Sequence, residues 1–227
     1  MKVIAANQLS KVYNPHKIPV HALNGVDLEI EEGEFTAIVG PSGSGKTTLL
    51  NIIGGLDRPT EGQIAVGGKD ISQLSDNQLI NFRKNNIGFV FQAYNLIPVL
   101  TARENVEFVM LLQNRSKAER ERRTLELLRA VGLEDKIAKR PSELSGGQQQ
   151  RVAVARALAP NPTIELADEP TANLDSESTA NLLDIMAALN REENITFVFS
   201  THDQRVIDRA RRVVQLVDGR ISSDETR

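Results

Sequence analysis

The chain has 227 residues, of which 40% are hydrophobic, and a formal net charge of −3 with acidic and basic residues interspersed. This length suits one large domain, or a domain with a subdomain, around a sizeable core, and the charge balance provides no basic stripe for nucleic acid. The absence of cysteine excludes a disulfide framework and a thiolate metal site and suits a reducing cytosol.

The sequence carries no pattern of membrane insertion. Its first eight residues lack the apolar stretch of a signal peptide. No run approaches the roughly 20 apolar residues that a membrane-spanning helix needs. We therefore expect a soluble protein whose connection to a membrane, if it has one, comes through a partner.

The sequence pattern of the N-terminal part predicts mostly β-structure. Apolar alternation predicts antiparallel strands at residues 3–12 and 22–30, and a further strand at 62–66 ends in a Gly-Gly turn. A helical pattern at residues 75–84 follows, and residues 87–91 return to strand character. These elements surround a glycine-rich motif.

That motif follows the apolar, partly β-branched run Phe35–Val39 and precedes a helical run that begins at Lys46. It reads Gly40, Pro41, Ser42, Gly43, Ser44, Gly45, Lys46, Thr47. Every fixed position of the P-loop pattern is filled, which argues against a fortuitous Gly/Ser turn between strand and helix. Strand, glycine loop and helix in this order place phosphates at a helix N-terminus.

The residue types in this motif suit nucleotide chemistry. Glycines let consecutive backbone N–H groups curl around an anion, and Lys46 adds a mobile positive charge. We expect Thr47 to ligate Mg²⁺ through its hydroxyl and Thr48 to touch another phosphate oxygen.

Strand character disappears between residues 101 and 138, which predicts a helical insertion in an α/β domain. Thr101 and Glu104 have the spacing of a capping box. The charged run at residues 117–123 mixes signs and pairs Glu119 with Arg123 at helical spacing, so it favours a solvated helix face over an RNA-binding arm.

A second glycine motif opens the helix predicted at residues 148–159. After Leu144 it reads Ser145, Gly146, Gly147, Gln148. It too presents N–H groups and a positive dipole end to an anion. Since only one of the two motifs can hold the phosphates of any single site, their presence in one chain suggests that one copy binds nucleotide and a second copy closes over it.

Two later strands end in reactive side chains. The strand at residues 163–169 ends in Asp168, expected to hold Mg²⁺ through water, and Glu169, expected to polarise the attacking water. Taken alone, the pair would be explained equally well by an ordinary acidic turn or by a catalytic role. The P-loop upstream favours the catalytic role. The apolar strand at residues 196–200 is followed by His202, which we expect to point into the ligand crevice beside the γ-phosphate.

Taken together, these motifs resemble the nucleotide-binding subunit of an ABC transporter over essentially the whole chain. The resemblance implies an α/β fold, with a RecA-like P-loop NTPase core, an N-terminal antiparallel β subdomain and an inserted α-helical subdomain. It divides a single domain, residues 1–227, into a core at about 1–91 and 160–227 and a helical signature subdomain at about 92–159.

Further roles follow from the resemblance alone. Tyr13 corresponds to the aromatic that stacks on adenine, although packing of a sheet tyrosine on its neighbours is a serious alternative. Gln92 corresponds to the glutamine that ligates Mg²⁺ and senses the γ-phosphate. His202 corresponds to the switch histidine, and residues 172–175 to a segment along the dimer interface. Glu165 departs from the family's apolar strand, so we expect it to face an edge or a cationic partner.

The resemblance implies an ATPase that uses ATP and Mg²⁺ and forms a homodimer on binding ATP. Several sequence stretches are similar to the lipoprotein-releasing and macrolide-exporting subfamily, whose permeases have few membrane spans and a large extracytoplasmic domain. The chain would then act at the cytoplasmic face of the cell membrane. The apolar surface at residues 92–100 would receive a permease helix, unless that segment packs on its own helical insertion.

Other classes fit less well. A chromosome-organising ATPase would split these motifs with a coiled coil, and a translation factor would carry two such domains in tandem. Glu169 and His202 disfavour a module that binds nucleotide without hydrolysis. The ATPase of a cell-division complex, which gates an external partner and transports nothing, stays open as the alternative.

Overall fold

A computed structural model describes all 227 residues, whose strands form one four-stranded and one six-stranded sheet. The strands are β1 (Lys2–Tyr13), β2 (Val20–Glu31), β3 (Phe35–Val39), β4 (Glu61–Val66), β5 (Lys69–Asp70), β6 (Ile87–Val90), β7 (Ile164–Asp168), β8 (Phe197–Thr201), β9 (Arg212–Val217) and β10 (Arg220–Thr226). The α-helices are α1 (Lys46–Ile53), α2 (Asp76–Asn86), α3 (Ala102–Leu112), α4 (Lys117–Ala130), α5 (Gly146–Leu158), α6 (Ser176–Glu193) and α7 (Gln204–Arg209). None of these helices is both long enough and apolar enough to cross a bilayer.

The six-stranded sheet sets the position of the site. Its order is β10-β9-β3-β8-β7-β6, and all its neighbours are parallel except β9 and β10. Parallel strands place their carboxyl ends along one edge. The loops that follow Val39, Asp168 and Thr201 therefore meet there, which explains how three motifs far apart in sequence reach one place.

Helix α1 lies between the two sheets. The smaller sheet has the antiparallel order β2-β1-β4-β5, as the alternation of its strands predicts. Leu49, Leu50, Ile52 and Ile53 are fully buried and join both sheets in one apolar cluster. A helix that is apolar around most of its surface is stable only when it is covered on opposite sides. This packing fixes the helix that follows the glycine-rich loop.

Between β6 and β7 the chain contains only helices and a short 3₁₀ turn, Pro141–Glu143, as the loss of strand pattern predicts. The predicted capping box is confirmed: Thr101 N–H donates to Glu104 Oε2 at 2.8 Å, and Glu104 N–H donates to Thr101 Oγ1 at 3.2 Å. The predicted pair of Glu119 and Arg123 does not form. Glu119 caps α4 through Ser116 instead, because a free helix N-terminus competes for its carboxylate.

Glu165 lies in neither of the expected places. Strand β7 is internal to the sheet, the Glu165 side chain has no exposed surface, and neither carboxyl oxygen has a hydrogen-bond partner. In the sheet it is flanked by Gly88 and Phe197. Burial raises the pKa of Glu165 well above its usual value of 4.5, which favours the neutral form of the carboxyl.

This burial gives stability a pH dependence. Stability is highest below the unfolded-state pKa near 4.5, where Glu165 is neutral in both states, and falls as pH rises towards the higher folded-state pKa, because the unfolded chain loses its proton first. Glu165→Ile should therefore raise the free energy of unfolding at neutral pH by about 1–3 kcal/mol. Urea unfolding between about pH 5 and 8 measures the effect. Exposed Glu61→Gln is the control, and equal pH slopes for Glu165→Ile and the parent would contradict the prediction.

Candidate functional site

The glycine-rich loop between β3 and α1 adopts backbone conformations that side chains rarely allow. Gly40, Gly43 and Gly45 have φ values of +154°, +81° and +103°. A Cβ atom on Gly45 would lie 2.3 Å from the Ala22 carbonyl oxygen, whereas one on Gly43 would meet open space. The loop is therefore held against β2 on one side and open on the other.

The open side presents unpaired donors. The backbone N–H groups from Gly45 to Thr48 donate to no protein acceptor, and the first bond of α1 runs from Leu49 N–H to the Gly45 carbonyl at 2.8 Å. Converging N–H groups and the positive end of a helix bind anions. The loop thus has the donors that a phosphate group requires.

Two side chains add to this set. Lys46 Nζ donates to the carbonyl oxygens of Gly40 at 2.8 Å and Pro41 at 3.0 Å, so its ammonium is folded back over the loop. The Ser44 hydroxyl is buried within the loop and has no partner. A phosphate oxygen offers the lysine a stronger acceptor than these neutral carbonyls. These residues fit a polyphosphate.

Asp168 lies at the end of β7 beside α1. Thr47 Oγ1 donates to Asp168 Oδ1 at 3.1 Å. Burial raises the pKa of Asp168, and the hydrogen bond from Thr47 partly opposes that rise. A hydroxyl and a carboxylate at this distance are the oxygen ligands that Mg²⁺ prefers, so the pair fits the ion.

Glu169 follows directly and is held against His202. Glu169 has a φ of +47°, the left-handed region that a side chain adopts at a cost. Its Oε1 lies 2.7 Å from His202 Nδ1, and its Oε2 accepts from Thr201 Oγ1 at 3.3 Å. The imidazole is 74% exposed while the carboxylate is largely covered. A base and a titratable ring therefore stand together beside the glycine-rich loop.

Asp203 is a neighbour that sequence reasoning did not single out. It accepts hydrogen bonds from Thr171 Oγ1 at 2.8 Å and Arg205 Nη2 at 2.7 Å. The Arg205 guanidinium, outweighing burial, lowers the pKa of Asp203 to about 2. The carboxylate thus ties the segment after Glu169 to the segment after His202. No local signal marks this contact, because its partners are 32 residues apart.

The second glycine motif lies at the start of α5. Ser145 caps the helix by accepting from Gln148 N–H at 3.3 Å. The N–H groups of Gly146 and Gly147 donate to no protein acceptor. A Cβ atom on Gly147 would lie 2.6 Å from Ser178 Oγ, so glycine is required for α5 to pack against α6. This motif lines a wholly polar cleft that shares no residue with the cleft at the first motif.

Tyr13 stands at the end of β1, beside the first motif. It is 36% exposed and lines the same cleft as Gly45 and Thr48. Its hydroxyl donates to Asp57 Oδ2 at 2.7 Å, and Lys11 Nζ lies 4.9 Å from its ring centroid. The tyrosine thus contacts its neighbours and also faces the cleft, so both interpretations offered by the sequence have a structural basis.

Gln92 lies in the partly exposed segment that follows strand β6. It is exposed, its side chain makes no hydrogen bond, and its carbonyl accepts from Asn173 Nδ2 at 2.9 Å. In the segment that follows, Leu96 packs against the apolar cluster that includes helices α3 to α5, and four apolar side chains are half-buried. These residues are Tyr94, Leu96, Ile97 and Leu100. Val99, which was not singled out, is 73% exposed.

The structure therefore brings together the first glycine motif, Asp168, Glu169 and His202 at one edge of the sheet, with Tyr13 at its side. It leaves the second glycine motif in a separate cleft. The chain contains no cluster of three or more His, Cys, Asp or Glu side chains that could hold a metal ion.

Comparison with known proteins gives a consistent result. The family model for "ABC transporter" matches residues 23–172. The lipoprotein-releasing system ATP-binding protein LolD 1 of Rhodopseudomonas palustris is 48% identical over 222 residues, which cover 97% of this chain and 98% of that protein. The macrolide export ATP-binding/permease protein MacB of Hyphomonas neptunium is 45% identical, covering 98% of this chain and 34% of its own length. A dimeric post-hydrolysis structure of the ATP-binding cassette MJ0796 of Methanocaldococcus jannaschii, bound to ADP and Pi, has a TM-score of 0.90 at 45% identity and covers 98% of both chains.

Proposed function

This chain belongs to the ABC transporter family and is an ATP-hydrolysing subunit, and from that premise we propose that two copies close on two ATP molecules with two-fold symmetry. Ser145, Gly147 and Gln148 of one copy face ATP held by residues 40–48 of the other. The observation that supports this arrangement most strongly is the separation of the two sets of unpaired N–H groups into clefts with no common residue. A second copy brings one set to each side of the nucleotide.

In this proposal the γ-phosphate stabilises the closed dimer, because neither surface alone is complementary to it. Lys46 and the N–H groups of both motifs stabilise the charge that develops during phosphoryl transfer. Glu169 orients and polarises the attacking water, and His202, 2.7 Å from it, contacts the γ-phosphate. Hydrolysis removes the shared anion and the dimer opens.

Mg²⁺ is expected to accompany the nucleotide. Thr47 and Asp168 would hold it, the carboxylate through water, together with Gln92. When bound, the ion would supply positive charge to neutralise the phosphate groups. The observation that fits this set is the bond from Thr47 Oγ1 to Asp168 Oδ1 at 3.1 Å.

We assign residues 92–159 to a helical subdomain that transmits closure to a membrane permease. Exposed Val99 and the partly covered Leu96 and Ile97 would receive a permease helix at the cytoplasmic face of the cell membrane. Similarity to LolD 1 and MacB favours lipoprotein release or export through a permease with few spans and a large extracytoplasmic domain. The alternative is a cell-division ATPase that signals across the membrane.

The test is to extract the complex from membranes in mild detergent with a tag on this chain and to identify what co-purifies. We expect a membrane subunit with few spans and a large external domain. Val99→Asp should lose that subunit, whereas Ile18→Asp, a change at a similarly exposed position in the β1–β2 loop, should retain it. Recovery of soluble proteins only, or of a permease with many spans and no external domain, would overturn the subfamily assignment.

A further inference from the structure

A three-residue cluster fixes the aromatic ring beside the nucleotide cleft. Asp57 is at its centre: Oδ2 accepts from the Tyr13 hydroxyl at 2.7 Å, and Oδ1 accepts from Lys11 Nζ at 2.6 Å. The side chains of Lys11 and Asp57 are only 13% and 28% exposed, so this ion pair is shielded from solvent. A charge-assisted, partly buried bond holds its partners more firmly than a surface pair does.

The cluster distinguishes the two faces of the ring. Lys11 Nζ lies 4.9 Å from the Tyr13 centroid, and its ammonium is also fixed by the Arg58 carbonyl at 2.7 Å. A cation at this distance occupies one face of the ring. Since Tyr13 is 36% exposed and lines the cleft at the phosphate loop, the ring surface that remains is available to a planar group in that cleft.

Asp57 also connects the ring to the phosphate loop. Its backbone N–H donates to the Asn51 carbonyl at 3.2 Å, at the end of helix α1. The same helix begins at Lys46, directly after the glycine-rich loop, and is packed between both sheets. A buried helix is a rigid spacer of about 1.5 Å per residue. The carboxylate therefore fixes the ring relative to the phosphate-binding groups.

We propose that Asp57 is a positioning residue, which holds the Tyr13 ring through its hydroxyl and through Lys11 so that the free face stacks on the nucleobase of ATP. This inference rests on the proposed nucleotide site and on the stacking role of Tyr13, and it adds Asp57 as the residue that holds the ring. Lys11, Tyr13 and Asp57 lie outside the phosphate-binding segment, residues 40–48. Asp57 therefore contributes to the part of the affinity that comes from the base.

The chain permits a direct spectroscopic test, because it contains two tyrosines and no tryptophan. In Tyr94→Phe protein, Tyr13 is the only tyrosine, and stacking of a base should quench its emission. Protein with both tyrosines changed to phenylalanine provides the correction for light absorbed by ATP. Calorimetry on the same full-length proteins gives the affinities for ATP and for inorganic triphosphate, which has no base.

In Asp57→Ala we expect ATP affinity to fall about five- to tenfold and the quench to shrink, since base stacking on an aromatic contributes about tenfold or more. Triphosphate affinity should stay within about twofold of the parent value, since the phosphate loop is intact. Asp57→Asn keeps an acceptor for the Tyr13 hydroxyl but not the negative charge that pairs with Lys11. Its ATP affinity should lie between those of the parent and Asp57→Ala. Asp76→Ala, which removes the exposed partner of Arg58, should change neither affinity.

Equal losses of ATP and triphosphate affinity in both Asp57 variants would overturn the proposal, because Asp57 would then support the fold rather than the ring. An unchanged ATP affinity with full quench would also overturn it. If the parent binds and hydrolyses ATP without any quench of Tyr13 emission, the stacking inference is wrong, but the assignment of the chain as an ATPase is unaffected. Failure of the parent to bind ATP at all would contradict the proposed function itself.

Discussion

Glu169→Gln should bind ATP with unchanged affinity, hydrolyse it at least about a hundredfold more slowly, and accumulate as a dimer. The amide cannot accept the proton of the attacking water, yet it keeps the size of the side chain and can still hydrogen-bond His202, which lies 2.7 Å from the carboxylate. It can also adopt the φ of +47° that position 169 requires. Phosphate release for turnover and size-exclusion chromatography with ATP for the dimer measure the two effects.

The control is Glu225→Gln, the same change on exposed strand β10, which should hydrolyse ATP at the parent rate. Near-normal hydrolysis by Glu169→Gln would show that Glu169 is not the base. Slow hydrolysis without a dimer would support Glu169 as the base but contradict the proposal that uncleaved ATP holds two copies together.

Ser145→Arg should abolish closure while each monomer still binds nucleotide with an affinity within about twofold of the parent value. Ser145 is exposed at the start of α5, in the cleft that shares no residue with the phosphate loop. A guanidinium there would stand where the partner's nucleotide must approach the N–H groups of Gly146 and Gly147. Loss of those donors should reduce hydrolysis by at least about a hundredfold.

Ser142→Arg adds the same charge and bulk at an exposed position in the preceding 3₁₀ turn and serves as the matched control. It should retain hydrolysis. The decisive comparison is calorimetric titration of isolated Ser145→Arg monomers. If their nucleotide affinity falls together with activity, the second motif acts within its own chain and not in trans.

Local patterns in the sequence were enough to predict most elements and the first glycine motif. The run Phe35–Val39 and the helix from Lys46 have the predicted bounds, because glycines and apolar residues mark both ends locally. The division of residues 1–227 into subdomains and the roles of the site residues stay predictions.

Features that depend on contacts between distant segments were predicted poorly. Glu165 was expected at an edge or beside a cation, but strand order decides burial, and alternation within one strand does not reveal that order. The hydrogen bonds from Tyr13 to Asp57 and from Thr171 to Asp203 join residues 44 and 32 positions apart. The sequence left open whether segment 92–100 is a free surface or packs on the helical insertion, because an irregular segment has no periodicity to indicate its buried side.

The most direct test of a composite site is a disulfide formed between two different chains. The protein contains no cysteine, so Ser42→Cys in the first glycine motif and Ser145→Cys in the second give two proteins with one thiol each. Both would carry Glu169→Gln to prolong closure. We predict a disulfide-linked heterodimer when the two proteins are mixed with ATP, and none without ATP or when only one of them is present. Absence of the heterodimer under conditions where both proteins bind ATP would contradict closure of one copy over the nucleotide of the other.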